Sequence, residues 1–399
     1  MITINCLLHR INYLPYYLPI CIELCKRGIN CNVFLEKASD KKDFIDPFNP
    51  NHLDEIMRYS KKYGYKVYVL SKYDLEKYDG RNISSKIIYL VAEGNIVGIK
   101  NKNNIPDWYN IIDKSNKSKL ISLVVNYEFV MFIDKYIKYV DYVIFPTQKY
   151  IDYYLLNNMY NKKFIVSGSP KYDFKFHKNE NLELSLESIH KKYLSKNKSK
   201  SELESELESE SESESKNNKY ILFIFPKDPD KHKKSNTIYP KFGDIIKLYQ
   251  ILRKLGYQII VKNRPQDKLT LTSLKGDYYI EDIDYGIVNS LELIKICELG
   301  IFFSSSINEE FVALNKPYID IKVDLVKDRF PFYNKEHNSK IIPYNFLFSR
   351  TDIQIEKIIK IIIEQLIGNK NNYLFPEQNE LLNSSNNSTI NICDKILSL

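Results

Sequence analysis

Residues 300–317 set a polar turn between a short apolar strand and a helix. Gly300-Ile301-Phe302-Phe303 runs into Ser304-Ser305-Ser306, then Ile307-Asn308, the carboxylate pair Glu309-Glu310, and a helical segment that closes on Asn315-Lys316-Pro317. Free backbone N–H groups at a helix start, and the positive end of its dipole, favour an anion there; three serines add hydroxyl donors without blocking its approach. Glu309 or Glu310, a turn into the helix, can accept hydrogen bonds from a ribose diol. The spacing therefore suits a nucleotide diphosphate. An ordinary helix with a serine N-cap and an acidic first turn shows the same residue types, so the wider pattern has to separate the two readings.

Two further segments bear on it. Tyr257-Gln258-Ile259-Ile260-Val261-Lys262-Asn263-Arg264-Pro265 reads as a buried strand that ends in a basic loop, and Phe164-Ile165-Val166-Ser167-Gly168-Ser169-Pro170-Lys171-Tyr172-Asp173 as a strand that ends in a Gly-x-Pro-x-x-Asp sequence. With residues 300–317, these resemble the nucleotide-binding half of the GT-B enzymes. That superfamily comprises the two-Rossmann-domain glycosyltransferases, with the UDP-N-acetylglucosamine 2-epimerases and the CDP-glycerol glycerophosphotransferases as relatives. The epimerase pattern is Asp-Ser-Gly-Gly-x-Gln-Glu-Glu followed by Gly-Lys-Pro. Here Phe303 stands for the Asp, Ser304 for the Ser, Ser305 and Ser306 for the glycines, Glu309-Glu310 for the Glu pair, and Asn315-Lys316-Pro317 for the closing tripeptide. Arg264 occupies the His position of a Lys-x-His-Pro-like loop. The resemblance covers most of residues 160–330; the first 150 residues match in pattern alone.

The resemblance implies that Ser304, Ser305 and Ser306 hold a diphosphate and Glu310 a ribose, with Glu309 beside it. Two serines in place of glycines narrow the turn. Transfer from a nucleotide donor loads negative charge onto the leaving diphosphate, which fixed dipoles and cations stabilise; Lys262 and Arg264 are placed to do so, and Lys227 with the Lys231-His232-Lys233-Lys234 cluster is a candidate to close from the opposite side. An acceptor hydroxyl needs a base. His9, after the first strand where several inverting GT-B families carry a catalytic His, is the first candidate; Glu128 and Glu93 are alternatives. The His-Gly motif of the glycerophosphotransferases has no counterpart between residues 80 and 130, which argues against direct phosphotransfer. Asp-x-Asp occurs at Asp228-Pro229-Asp230 and Asp282-Ile283-Asp284, a pattern that arises by chance in a chain this rich in Asp. No obligatory metal or cofactor is expected; the nucleotide-diphosphate sugar is a substrate.

The elements that must position these groups follow from the apolar pattern. Runs of four to eight apolar residues alternate with amphipathic segments, as in parallel strands joined by helices. Strands are expected at residues 2–8, 31–35, 66–70, 86–92, 142–146, 164–168, 220–226, 258–261 and 300–303. Helices are expected at 15–27, 243–255, 291–299, 352–366 and 389–397. The expected fold class is α/β of GT-B type, two Rossmann-like doubly wound parallel-sheet domains facing a cleft. Residues 1–183 form the acceptor domain, 184–218 a disordered Ser/Glu-rich linker, and 219–399 the nucleotide-binding domain, with a last helix able to cross back to the first.

Composition bounds the alternatives. A chain of 399 residues suits two domains, and 44% apolar residues is ordinary for a globular protein. The wealth of Lys, Asn, Ile and Tyr follows AT-rich codons. Seven glutamates lie in residues 201–215, so the rest of the chain is more basic than the net charge of +8 indicates. That balance suits a phosphorylated donor, an acidic acceptor or an anionic membrane surface. Nucleic acid is not the expected partner, since no zinc-finger spacing, basic-aromatic motif or dense Arg cluster occurs. Six cysteines without a paired framework fit reduced core thiols, Cys6, Cys21, Cys25 and Cys31 among them. No signal-peptide pattern opens the chain and no apolar run reaches the length of a membrane span, so a cytoplasmic protein, soluble or peripheral, is expected. The rival readings are a UDP-N-acetylhexosamine 2-epimerase, a CDP-polyol phosphotransferase, and a catalytically inactive GT-B scaffold.

Overall fold

The structure is a computed structural model that describes residues 2–8, 13–36, 50–70, 86–92, 118–125, 137, 140–154, 163–182, 185–194, 220–226, 240–262, 278–280, 289–305, 307–323, 339–368 and 387–399. The chain divides into two compact units, Met1–Leu182 with Asn379–Leu399, and Glu183–Gln378.

The first unit contains strands β1 (Ile2–Leu8), β2 (Asn30–Glu36), β3 (Lys66–Leu70), β4 (Lys86–Ala92), β5 (Ser118–Leu123), β6 (Tyr142–Phe145) and β7 (Phe164–Val166), with helices α1 (Leu14–Lys26), α2 (Pro50–Tyr63), α3 (Gln148–Tyr154) and α4 (Phe174–Asn179). The strands form a sheet in the order β3-β2-β1-β4-β5-β6-β7, each pairing parallel. β1 and β4 are buried along six successive residues. A strand covered on both faces needs such a continuous apolar run, which is why these two read clearly in the sequence.

The second unit contains α5 (Leu186–Tyr193), β8 (Tyr220–Ile224), α6 (Phe242–Lys254), β9 (Gln258–Lys262), β10 (Tyr278–Ile280), α7 (Asn289–Ile296), β11 (Leu299–Phe302), α8 (Asn308–Ala313), β12 (Tyr318–Lys322), β13 (Ser339–Pro343), α9 (Tyr344–Phe348) and α10 (Asp352–Gly368). Its sheet runs β10-β9-β8-β11-β12-β13, again parallel throughout. Ile221, Phe223, Ile259, Val261, Ile301 and Ile319 pack against Leu248 and Leu252 of α6 and Ile355 and Ile359 of α10. In both sheets the chain winds outward from a central strand in one direction, then returns and winds outward in the other. The switch in the second unit lies between β8 and β11, the position where open α/β sheets bind ligands beyond the carboxyl ends of their strands.

The last helix, α11 (Ser388–Ser398), belongs to the first unit. Ile392, Cys393 and Ile396 are buried, α11 packs against α1, and Arg27 of α1 pairs with Asp394. The Gly-x-Pro-x-x-Asp sequence holds it. Gly168 takes a φ of 85°, Pro170 opens a 3-10 turn, and the buried Asp173 then accepts two backbone N–H groups, from Phe176 in the first turn of α4 at 3.2 Å and from Thr389 in α11 at 2.9 Å.

Two expectations need correction. The span 184–218 is not linker throughout, because α5 lies within it and belongs to the second unit. Ser185 caps that helix by accepting from the Ser188 N–H at 3.1 Å, Ile189 and Tyr193 bury one face, and the Tyr193 hydroxyl donates to Glu292 of α7 at 2.6 Å. The acidic tract 201–215 lies outside the described residues. The helix expected over 291–299 ends at Ile296, and Leu299 opens β11.

Candidate functional site

β11 leaves its sheet beside β8, at the switch point, and its carboxyl end is the start of the serine turn. One register row crosses the sheet there: Lys262 pairs with Ile224, Ile224 with Phe302, and Phe302 with Asp320. Lys262, the last residue of β9, and Asp320, in the middle of β12, thus lie three strand positions apart, about 14 Å at the usual interstrand spacing, with the end of β11 between them.

The turn is built from inside. Ser304 has a φ of 43°, a left-handed conformation rare for a residue with a side chain. Its N–H donates to Asp320 Oδ1 at 2.8 Å, and its Oγ accepts from the Val323 N–H at 3.0 Å. Those two bonds tie the end of β11 to the end of β12. They also commit the Ser304 N–H, so the turn offers a ligand the Ser304 hydroxyl hydrogen and whatever follows it. Ser305 is buried.

α8 is six residues long, and Ile307 at its N-cap position contributes no side-chain hydrogen bond. Ile307 rather than a serine thus stands at the cap position, and so short a helix carries little macrodipole. What fixes α8 is packing. The Phe311 ring lies directly against Gly300, where a Cβ would come within 2.0 Å of Cζ, and sits tilted against Phe302 and Tyr318. At the far end Asn315 closes the helix with a φ of 51°, the left-handed position that usually takes glycine, and the Lys316 ammonium donates to the Cys297 carbonyl at 2.9 Å. The Gly300 N–H reaches the Pro317 carbonyl at 3.1 Å. Glu309 and Glu310, at the start of this anchored helix, are each only 8% exposed. The Glu309 N–H is taken by Asn308 Oδ1 and that of Glu310 by the Ile307 carbonyl.

Asp320 is a component the sequence reading missed. It is 7% exposed, and burial pushes its carboxyl up to about 7 against the opposing pull of the Ser304 N–H and Lys322. A group that ordinarily loses its proton near pH 4 is thus shifted towards neutrality, at the carboxylate that accepts the Ser304 N–H.

No family model matches the chain, and no curated protein matches it by sequence. Solved structures do. A UDP-GlcNAc 2-epimerase from Neisseria meningitidis bound to UDP-GlcNAc aligns with a TM-score of 0.60 at 12% identity over 100% of both chains. The Methanocaldococcus jannaschii UDP-GlcNAc 2-epimerase in complex with UDP-GlcNAc and UDP gives 0.57 at 15% identity, over 100% of this chain and 99% of that one. The wall teichoic acid polymerase TagF gives 0.54 at 13% identity over 99% and 88%. The chain has the GT-B fold. At these identities the likeness concerns the fold, whose paired doubly wound units are those described above.

On that GT-B frame the structure brings together Ser304, Ser305, Glu309 and Glu310 through the β11–α8 connection and sets Lys262 at the carboxyl end of β9. His9, Glu93, Glu128, Lys227, the 231–234 cluster, Arg264, Ser306 and both Asp-x-Asp pairs lie outside the described residues. Among the described residues, no group of three or more His, Cys, Asp or Glu side chains is placed to hold a metal ion, and no helix is long and apolar enough to cross a membrane. Cys6 and Cys21 meet at 3.4 Å between sulfurs inside the first unit, and all six cysteines are free thiols.

Proposed function

We propose that the chain is a nucleotide-sugar enzyme that moves a sugar from a nucleotide-diphosphate donor to an acceptor hydroxyl, in the synthesis of a glycan or surface polysaccharide. The observation that carries this reading is the β11–α8 connection, a serine turn at the topological switch point followed by two buried carboxylates. A nucleotide diphosphate has a matching order of groups: anionic phosphates for the turn, then a ribose diol for Glu310 with Glu309 beside it. Ser304, Ser305 and Ser306 would donate to the diphosphate, and Lys262, Arg264 and Lys227 would supply positive charge as the bond to the sugar breaks. His9 is the proposed base for the acceptor, with Glu128 as its alternate. These cations do the charge neutralisation that a divalent ion performs elsewhere, so the proposed reaction needs no metal. The solved neighbours that hold UDP-GlcNAc support a nucleotide-sugar in this role.

The epimerase reading has its own support, since the two epimerases match the chain over essentially their whole length. Proton NMR of the protein with UDP-N-acetylglucosamine separates the two. Acceptor-dependent release of the nucleoside diphosphate supports transfer; inversion at C2 of the sugar without any acceptor supports epimerisation and refutes transfer.

A further inference from the structure

Asp320 stands in the wrong place for an anion site. Its carboxylate takes the Ser304 N–H at 2.8 Å, a donor that a phosphate-binding turn would otherwise turn outward. An anion held at Ser304 or Ser305 would share the turn with that carboxylate. Lys322 on the same strand is the cation that acts on Asp320. β11 contributes no ionisable side chain, β13 contributes the exposed Lys340, and α8, which packs against β12, contributes the acids Glu309 and Glu310. Lys262, the described cation assigned to the diphosphate, starts about 14 Å from Asp320 across the sheet, so two negative groups on one turn still repel in a partly desolvated site.

We propose that a bound diphosphate and an ionised Asp320 exclude one another, so that the turn takes up one proton at Asp320 when it binds its donor. Asp320 is thus a positioning residue with a pH-dependent charge. Protonated or not, its carbonyl oxygen keeps the Ser304 N–H and holds the left-handed turn in shape; only the protonated form admits the anion. This inference rests on the donor reading of the preceding subsection. It adds a regulation of that site: affinity rises in mildly acidic conditions and falls in alkaline ones.

The free carboxyl titrates at about 7. If only the protonated form binds, affinity falls about tenfold between pH 6 and pH 8, with uptake of close to one proton per ligand at pH 8 and almost none at pH 6. The probes are UDP-N-acetylglucosamine and CDP-glycerol, whose phosphates carry fixed charge over this range. Calorimetric titration of the full chain at pH 6, 7 and 8, in two buffers of different ionisation enthalpy, reads affinity and proton uptake together. Asp320→Asn keeps an oxygen for the Ser304 N–H and removes the charge, so it should bind at pH 8 as the unaltered chain binds at pH 6, with a flat profile. Lys322→Gln removes the cation that favours ionisation and should move the fall to higher pH. The second variant keeps the test decisive if Asp320→Asn fails to fold. A flat profile in the unaltered chain, or a persistent tenfold fall in Asp320→Asn, overturns the role of Asp320 and leaves the donor site standing. No binding of either probe at pH 6 refutes the donor reading itself, and this inference with it.

Discussion

Among the described glycines whose added Cβ can be placed, Gly300 is the one where it would meet a side chain at once, so Gly300→Ala is a sharp perturbation. The added Cβ would lie 2.0 Å from Phe311 Cζ and 2.5 and 2.7 Å from Cε1 and Cε2, whereas non-bonded carbons settle near 3.5–4.0 Å. The ring would have to retreat by about 1.5 Å to reach that separation. It has no room, because Phe311 is 0% exposed and its centroid is 5.8 Å from Phe302 and 6.0 Å from Tyr318. Overpacking of this kind costs about 1–3 kcal/mol or more, which outweighs the gain of about 0.4–1 kcal/mol that Gly→Ala brings through the unfolded chain. We expect a net loss of about 2 kcal/mol in urea unfolding followed by circular dichroism. Hydrogen exchange should quicken in β11 and α8, and nucleotide affinity should drop because α8 carries Glu309 and Glu310. Phe311→Leu added to Gly300→Ala should recover part of the loss, giving a favourable coupling in the double-mutant cycle. A Gly300→Ala protein within about 0.5 kcal/mol of the unaltered chain would refute the reasoning, since surface-like tolerance of that size means the ring does not depend on the missing Cβ.

Asp320 makes a second prediction, on stability. Between its unfolded value of 3.8 and its folded value of about 7, the folded state keeps a proton that the unfolded chain has released. Stability should therefore fall as pH rises through that window and level off above it, by up to about 4 kcal/mol. Asp320→Asn should flatten this profile and be the more stable protein at pH 8 in denaturant titrations; an unchanged slope contradicts the burial argument. Asp173→Ala should cost about 2–4 kcal/mol by orphaning two buried N–H groups. Its signature is faster hydrogen exchange throughout α11, and unchanged exchange there would show that the helix is held by packing alone.

The amount legible in the sequence varied with the kind of signal. β1, β4, β8 and β9 stand out because they are buried on both faces, and their apolar runs need no context. β12 does not, because Asp320 interrupts its apolar run and Lys322 closes it, so Tyr318–Lys322 resembles a loop until β11 and β13 are seen to flank it. β10 is three residues long, and β5 carries a buried Ser122 in its apolar stretch. α2 carries a local amphipathic pattern over Pro50–Tyr63 that the strand-led reading does not include. At the site, the strand–serine–carboxylate order is local and could be found by inspection. Asp320 could not, since it lies sixteen residues from Ser304 and only the parallel pairing of β11 with β12 brings them together. The closing Asn315-Lys316-Pro317 resembles Gly-Lys-Pro, and the structure supplies the cause: Asn315 takes a left-handed conformation, and Asn is among the few non-glycine residues that tolerate it.

The β11–α8 connection is the proposed seat of a nucleotide diphosphate. A thermal-shift panel tests it most directly: UDP, CDP, GDP, dTDP and their common sugar conjugates, at pH 6, with and without EDTA, on the unaltered chain and on Glu310→Gln and Glu310→Ala. The expected result is selective stabilisation by one nucleotide, retained in EDTA and weakened in both variants. No shift with any nucleotide would contradict it.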